Sequence, residues 1–360
     1  MSLAKSPSGL CGKPPPESCA FDRCRDAMFS LTDLSSRASV YGMTPGKKFM
    51  TSDEIRPLAK RSNLMGGLML VHCFGIIALA LVVFSLWPNP VTFLLAVMVI
   101  GSRQLGMAIL MHDAAHRALF KTVWLNEFAG VWICGNPILA DMLSYRHYHF
   151  AHHRFTQSDK DPDIVLSRPF PSTRDSMIRK FVRDLTGQTG VKQISAQIML
   201  SLKMAGDKDA VEEAQKQVQA FKGGGMRGPL IANAVVFALL WAVGAWWWWF
   251  AFWMLPLVTW FQLVLRIRNI AEHAVTEVSD NPFKNVRTTL TDPITGLFVA
   301  PYWVNYHLEH HLVMHVPCWS LKKMHALMVA KGYGDQMNVA PNYWSVLAQA
   351  GWNRREAAKA

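Results

Sequence analysis

Nine of the chain's 13 histidines fall into short clusters. His307, His310 and His311 form an H-x-x-H-H pattern, and His149, His152 and His153 repeat that spacing. His112 and His116 stand four apart in HDAAH, and Asn269 and His273 stand four apart in NIAEH. On a helix, positions i, i+3 and i+4 share one face, so each cluster aims its side chains into a small volume. Imidazole suits iron, zinc, copper and nickel alike, so ligand type alone does not choose the metal. Nine imidazoles are more than one zinc needs; two six-coordinate ions with four or five each would use them all. A single H-x-x-x-H is often a surface pair. Four such clusters together specify a site for more than one metal ion.

The elements that position these clusters are apolar. The stretches from Ser62 to Ser102 and from Gly228 to Leu265 contain no Asp, Glu, Lys or Arg. At about 1.5 Å per residue each is long enough to cross a ~30 Å hydrocarbon core twice. Each therefore reads as a helical hairpin, in preference to buried helices of a large soluble core. The expected spans are 64–87, 91–110, 230–246 and 250–265, turning at Pro88–Pro90 and at the run Trp246–Trp249. The fold class is thus an all-α integral membrane protein, with two hairpins and a cytoplasmic helical cap holding the histidines.

The formal net charge of +12 does not point to nucleic acid. Neither hairpin tip carries Lys or Arg, and the basic residues lie outside the hairpins, the positive-inside pattern. Both termini and the central segment are expected in the cytoplasm, with the protein in a bacterial inner membrane or the endoplasmic reticulum. Basic surface there favours anionic headgroups. No N-terminal signal peptide is visible, and the first span would serve for targeting. The six cysteines (Cys11, Cys19, Cys24, Cys73, Cys134 and Cys318) form no C-x-x-C pair and are expected as free thiols.

In chain order, residues 1–45 are rich in Ser, Pro and Gly and read as a disordered tail. Residues 46–340 form the membrane domain, and 341–360 a C-terminal tail. Arg103 and Gln104 sit in the last third of span two, where a charge must face protein or reach an interface; Arg103 either supports the metal site or snorkels. Val123 to Tyr145 is apolar but broken by Gly130, Gly135, Pro137 and Asp141, and reads as an interfacial or re-entrant segment. Asp161 and Asp163 either accept hydrogen bonds from ligand imidazoles or simply make a turn. Two amphipathic helices follow, near 174–185 and 193–220. Gly223 to Gly228 spells G-x-G-x-x-G, but no strand precedes it, which excludes a dinucleotide site.

HDAAH, HFAHH, NIAEH and HLEHH, in this order around two hairpins, resemble the histidine boxes of the membrane fatty acid desaturase family, which includes related hydroxylases and ketolases. The resemblance covers roughly residues 60–330. It implies two irons held by His112, His116, His149, His152, His153, His273, His307, His310 and His311, with Asn269 in contact through water. The three residues between His112 and His116 are similar to the acyl-lipid branch. His147 and His315 go beyond the pattern, as outer-sphere groups or alternative ligands. No HPGG segment like that of cytochrome b5 is present, so the resemblance implies a separate donor: ferredoxin, or cytochrome b5 with its reductase. No bound flavin, haem or NAD is expected.

The implied reaction is O2-dependent removal of hydrogen from an unactivated C–H bond of a fatty acyl chain, lipid-linked or as a thioester, reached from the bilayer through a dry apolar channel. The same boxes serve hydroxylation or ketolation of a carotenoid, sterol or alkane. A histidine-rich metal transporter or receptor would need ionisable residues midway along the spans, and the two charge-free stretches offer almost none.

Overall fold

The computed structural model describes residues 45–204, 225–279 and 281–352. The N-terminal tail up to residue 44, the second half of the 193–220 stretch, the start of the Gly223–Gly228 motif and residues 353–360 lie outside the described residues. The described part is mostly helical, with two two-residue strands.

After a short helix α1 (Ser52–Leu58), Ser62 accepts from the Met65 amide at 3.2 Å and opens α2 (Asn63–Leu86). Trp87 and Pro88 end it. Asn89 then caps α3 (Pro90–Ala115) by accepting from the amides of Val91 and Thr92, and Pro90 fits the first turn, where no amide partner is needed. These two helices match the first expected hairpin, although α3 runs five residues further and so carries His112 itself. With 24 and 26 residues they are about 36 and 39 Å long. α2 presents Leu and Val to its surroundings, whereas α3 is buried from Ile100 to Ala115.

The segment after α3 folds as a helix over Val123–Phe128, a π-helical turn over Ala129–Gly135 and a 3-10 turn over Asn136–Ile138. It packs against α3. A Cβ on Gly130 would stand 2.1 Å from the Met142 sulfur and 2.8 Å from Ala114 Cβ, so only glycine permits this approach. Asp141 accepts from the amides of Leu143 and Ser144 and starts α4 (Met142–Phe155), the helix of the second histidine cluster. The amphipathic helices α5 (Arg174–Leu185) and α6 (Gln188–Met204) follow, α6 beginning five residues earlier than its pattern suggested.

The second apolar stretch departs from the expected boundaries. α7 (Arg227–Ala242) has 16 residues, about 24 Å, and ends before a left-handed Gly244. The helical path Trp249–His273 then runs for 25 residues, through a π-helical turn and a bend at Thr259, into α8 (Trp260–His273). It does not stop at Leu265, because Arg266 and Arg268 find carboxylates. Arg266 donates to the fully buried Asp184 of α5 at 2.5 and 2.8 Å, and Arg268 donates to Glu272 at 2.6 Å. Asn269 and His273 therefore lie on the same continuous helix. Among the described residues, three helices are long and apolar enough to cross a membrane, and α7 is a shorter apolar one.

Strand β1 (Thr288–Thr289) pairs in parallel with β2 (Val339–Ala340) and ties the end of the chain to the core. Between them come α9 (Pro293–Phe298), α10 (His307–Leu312) and α11 (Cys318–Ala330). Residues 341–352 are not a free tail: Tyr343, Val346, Leu347 and Ala350 are buried, and Ala350 accepts from the Ser172 amide.

Arg103 is 2% exposed, so it does not snorkel to an interface, and it binds a backbone carbonyl and stands in neither histidine group. Its guanidinium donates to the carbonyl of Leu297, while the Ser102 hydroxyl donates to that of Phe298 at 2.7 Å. Both carbonyls are at the C-terminus of α9, where helical partners run out and the helix dipole favours a cation.

Candidate metal centre

Four helices deliver the clustered histidines to one place. His112 sits in the last turn of α3 and His116 closes that helix. α4 brings His149, His152 and His153, α8 ends on His273, and α10 carries His307, His310 and His311. Left-handed backbone at Tyr302 and Trp303 turns the chain into this six-residue helix.

All nine histidines fall into two groups, each with ring nitrogens within 4.8 Å of one another. His112, His116, His149, His153 and His310 make a group of five, and His152, His273, His307 and His311 a group of four. His152 and His153 are adjacent in sequence yet join different groups, since neighbouring positions on a helix point about 100° apart. Helix α4 thus bridges the two groups.

Several ring nitrogens each face two others, which an ordinary hydrogen-bond network does not allow. The Nε2 atom of His310 lies 2.9 Å from Nε2 of His112 and 2.9 Å from that of His153, which lies 2.9 Å from Nε2 of His149. In the second group, Nε2 of His307 is 2.8 Å from that of His273 and 3.1 Å from that of His311. An imidazole nitrogen offers either one proton or one lone pair in the ring plane, so Nε2 of His310, of His153 and of His307 cannot satisfy both of its neighbours. Ligands about 2.1 Å from a metal and 90° apart are separated by about 3.0 Å, and tetrahedral ones by about 3.4 Å. The observed spacings match the 90° arrangement of a six-coordinate ion. Nε2 of His116 and of His152 are buried without a hydrogen-bond partner, aimed into their groups. The residues present fit a metal in each group.

Electrostatics agrees. Burial, reinforced by the neighbouring imidazoles, pushes His116, His149, His153, His307, His310 and His311 well below the usual histidine range. They are neutral at pH 7, the form that binds metal. His152 differs: burial lowers it, but Asp163 and Asp161 outweigh burial and raise it overall. Its Nδ1 donates to Asp161 at 2.8 Å and lies 3.6 Å from Asp163. Tyr148 in turn donates to Asp163 at 2.5 Å. A carboxylate on Nδ1 fixes the ring and leaves Nε2 unprotonated for the metal.

The remaining sequence candidates sort by position. Asp161 and Asp163 stand beside His152, as described. Asn269 is half-buried one turn before His273 and lines a cavity with it. His315 is half-buried and near enough to His116 to help depress its pKa. His147 is exposed, since two residues along a helix from His149 is about 200° around, and it belongs to neither group. Arg103 belongs to the α9 cap.

Several partners went unread in the sequence. Asp113 lies 3.3 Å from Nδ1 of His112 and accepts from the Cys318 amide at 2.8 Å. Glu272 approaches Nε2 of His307 at 3.5 Å. Glu309 accepts from Thr288 at 2.5 Å and pairs with His325 at 2.6 Å, fastening α10 to β1 and α11. Gln157 donates to the His273 carbonyl at 2.7 Å, and Tyr145 stacks on His149. The available signal was the acid inside three of the boxes: Asp113 after His112, Glu272 before His273 and Glu309 before His310.

The cavity beside the histidines has a volume of about 230 Å³. It reaches His149 of the first group and His152, His273 and His307 of the second. Its other walls include Gln193, Gln262, Arg268 and Asn269 as well as Leu166 and Ile270, so it is more polar than the expected apolar channel.

The family model described as fatty acid desaturase matches residues 85–340. The chain is 27% identical over 287 residues to the dihydrorhizobitoxine desaturase of Bradyrhizobium elkanii, covering 75% of this chain and 76% of that protein. It is 24% identical over 310 residues to the sn-1 oleoyl-lipid 12-desaturase of a Picosynechococcus strain, covering 82% and 83%. The protein of the same name from Anabaena variabilis is 23% identical over 266 residues, covering 69% and 71%.

Proposed function

Because this chain belongs to the fatty acid desaturase family, we propose that it introduces a double bond into an acyl chain, with O2 as oxidant. Two irons would be held by the nine histidines, five around one and four around the other. The observation that carries this reading is the division of those nine imidazoles into two groups of convergent, neutral nitrogens. Two hydrogens leave adjacent carbons. Together with two electrons from a separate donor and two protons, they reduce one O2 to two waters. Ferredoxin, or cytochrome b5 with its reductase, has the chemistry of that donor.

When bound, the iron pair supplies the power to break an unactivated C–H bond, which no side chain has unaided. The protein's own contribution is placement. Asp161 and Asp113 hold His152 and His112 by Nδ1. Glu309, through Thr288 and His325, holds the helix that carries three of the imidazoles. Asn269, which lines the cavity with His273, would contact the second group's metal through water. The cavity reaches histidines of both groups, and the substrate would meet them there.

The same reading makes α2, α3, α7 and the Trp249–His273 helix four spans, with the histidine groups, α5, α6 and both termini on the cytoplasmic face. Its support is the confinement of charge to the segments outside the apolar stretches.

The test is expression in a heterologous host with either donor system, followed by mass spectrometry of its lipids. An acyl species two mass units lighter, missing from a His310→Ala control, is the expected product. A species sixteen units heavier would replace desaturation by hydroxylation. Properly folded protein that binds no metal would refute the reading.

A further inference from the structure

Helices α5 and α6 have three sides where a helix on a soluble core has two. In α5, Met177 and Asp184 are buried and Phe181 packs against the core; in α6, Gly190 and Gln197 are buried. The residue after each of these is apolar and exposed: Ile178, Val182, Leu185, Val191 and Ile198 are 39–56% exposed. One position is 100° around a helix, so on each helix these side chains form a stripe beside the inward face. Two positions on from Met177, Phe181 and Gly190, about 200° around, stand Arg179, Arg183 and Lys192, all exposed. Among the described residues of the two helices Asp175 is the one exposed acid, since Asp184 is buried against Arg266. Protein covers the first side and water suits the basic one. The apolar stripe calls for a third medium.

The packing supplies one. Gly190 lies on Val258, where a Cβ would stand 2.6 Å from the Val258 Cα, so only glycine permits the approach. Val258 is part of the apolar path Trp249–His273. Asn233 of α7 and the Trp253 indole both donate to the Pro137 carbonyl, at 3.3 and 3.0 Å, which sets residues 233 and 253 level. Six residues, about 9 Å, towards the cytoplasmic end bring α7 to its first residue, the exposed Arg227, and the other path to Thr259. Charge therefore begins at the depth of Val258. That edge is where α5 and α6 meet the apolar helices, with a left-handed Gly187 turning the chain between them.

We propose that α5 and α6 lie in the headgroup layer of the cytoplasmic leaflet. The stripe of Ile178, Val182, Leu185, Val191 and Ile198 enters the acyl region, and Arg179, Arg183 and Lys192 meet anionic headgroups. The partner is a lipid surface of net negative charge. The inference rests on the four-span placement above and not on the desaturation chemistry.

The experiment places the full chain, one copy per disc, in nanodiscs of phosphatidylcholine alone or with phosphatidylglycerol. Cysteine replaces in turn Val182, Val191, Arg179 and, on α2, Val71; all four are exposed, so no core packing is lost. Alkylation by a charged maleimide is timed by peptide mass spectrometry, which separates each site from the six native cysteines. Val182→Cys and Val191→Cys should react about tenfold more slowly than Arg179→Cys, the cost of lifting one apolar side chain out of lipid. In anionic discs they should slow by about a further fivefold, the attraction of one basic side chain for the surface. Rates equal to that of Arg179→Cys, with Val71→Cys protected, overturn the inference and leave the membrane placement intact. Protection that appears only with two copies per disc overturns it and makes a second copy of this chain the occupant. Protection that is the same in both lipids refutes the choice of an anionic surface. A Val71→Cys that reacts as fast as Arg179→Cys refutes the membrane placement, and this inference with it.

Discussion

Replacing Asp161 with Asn should empty the four-histidine group while sparing the other. Asp161 is 4% exposed, and its carboxylate accepts three hydrogen bonds. Oδ1 takes the Nδ1–H of His152 and the Asp163 amide, each at 2.8 Å, and Oδ2 takes the Gln157 amide at 2.8 Å. An asparagine cannot serve all three. With its oxygen towards His152, its NH2 faces the Gln157 N–H; turned over, it faces the His152 N–H. Either orientation sets donor against donor, at about 1–3 kcal/mol, and removes the charge that strengthens the imidazole bond. Loss of such a ligand-supporting carboxylate typically weakens metal binding about 10–100-fold, or about 1.4–2.7 kcal/mol. The assay is iron per chain by elemental mass spectrometry after dialysis against graded chelator. Wild type should lose both irons near one chelator concentration, and Asp161→Asn should lose one of them at a concentration about 10–100-fold lower. Equal retention of both irons would refute the role given to Asp161.

Other expectations follow from single contacts. Gly130→Ala drives a methyl into Met142 and Ala114 and should cost about 1–3 kcal/mol, seen as a lower Tm in detergent. Asp184→Ala strips Arg266 of its buried partner and Thr189 of its acceptor; unfolding should become easier by about 3 kcal/mol, measurable by denaturant titration. Metal-free protein should lose stability as pH falls below about 6.5. There the unfolded chain's histidines take up protons that the buried, depressed His116, His149, His153, His307, His310 and His311 refuse. The slope is up to about 1.4 kcal/mol per pH unit for each, and a flat Tm from pH 7 to 5 would contradict their burial. Glu309→Gln should loosen α10 and lower iron occupancy, and His325→Ala should reproduce part of that loss if the pair acts as one fastening.

The clusters are readable because helical periodicity alone turns i, i+3 and i+4 to one side; eight of the nine histidines stand in that register with another histidine, and His273 stands in it with Asn269. The first hairpin was readable because Ser62 and the Asn89–Pro90 pair are strong helix starts at the edges of charge-free sequence. The second was less so. Arg266 and Arg268 looked like the end of a span, and only the folded positions of Asp184 and Glu272 let α8 continue through them. The partners of the histidines divide the same way. Asp161, nine residues from His152, was within reach of local reasoning. The Cys318 amide that orients Asp113 is 205 residues away, and His325 meets Glu309 through the packing of two helices. Val346 and Leu347 are buried on a five-residue helix, which has too little periodicity to announce a buried side in the sequence.

The α9 cap also sets an order of events during synthesis. If α3 spans the membrane as proposed, Arg103 enters with it, and an arginine near a helix centre opposes insertion by about 2.5–3.5 kcal/mol. The carbonyl that it will hold belongs to Leu297, 194 residues later. At roughly 5–20 residues per second the ribosome needs about 10–40 s to deliver it. For that interval α3 must be kept in place by α2, its apolar neighbour, with the guanidinium bound to water or headgroups. When α9 arrives it displaces them, and a helix that was hard to insert becomes hard to withdraw.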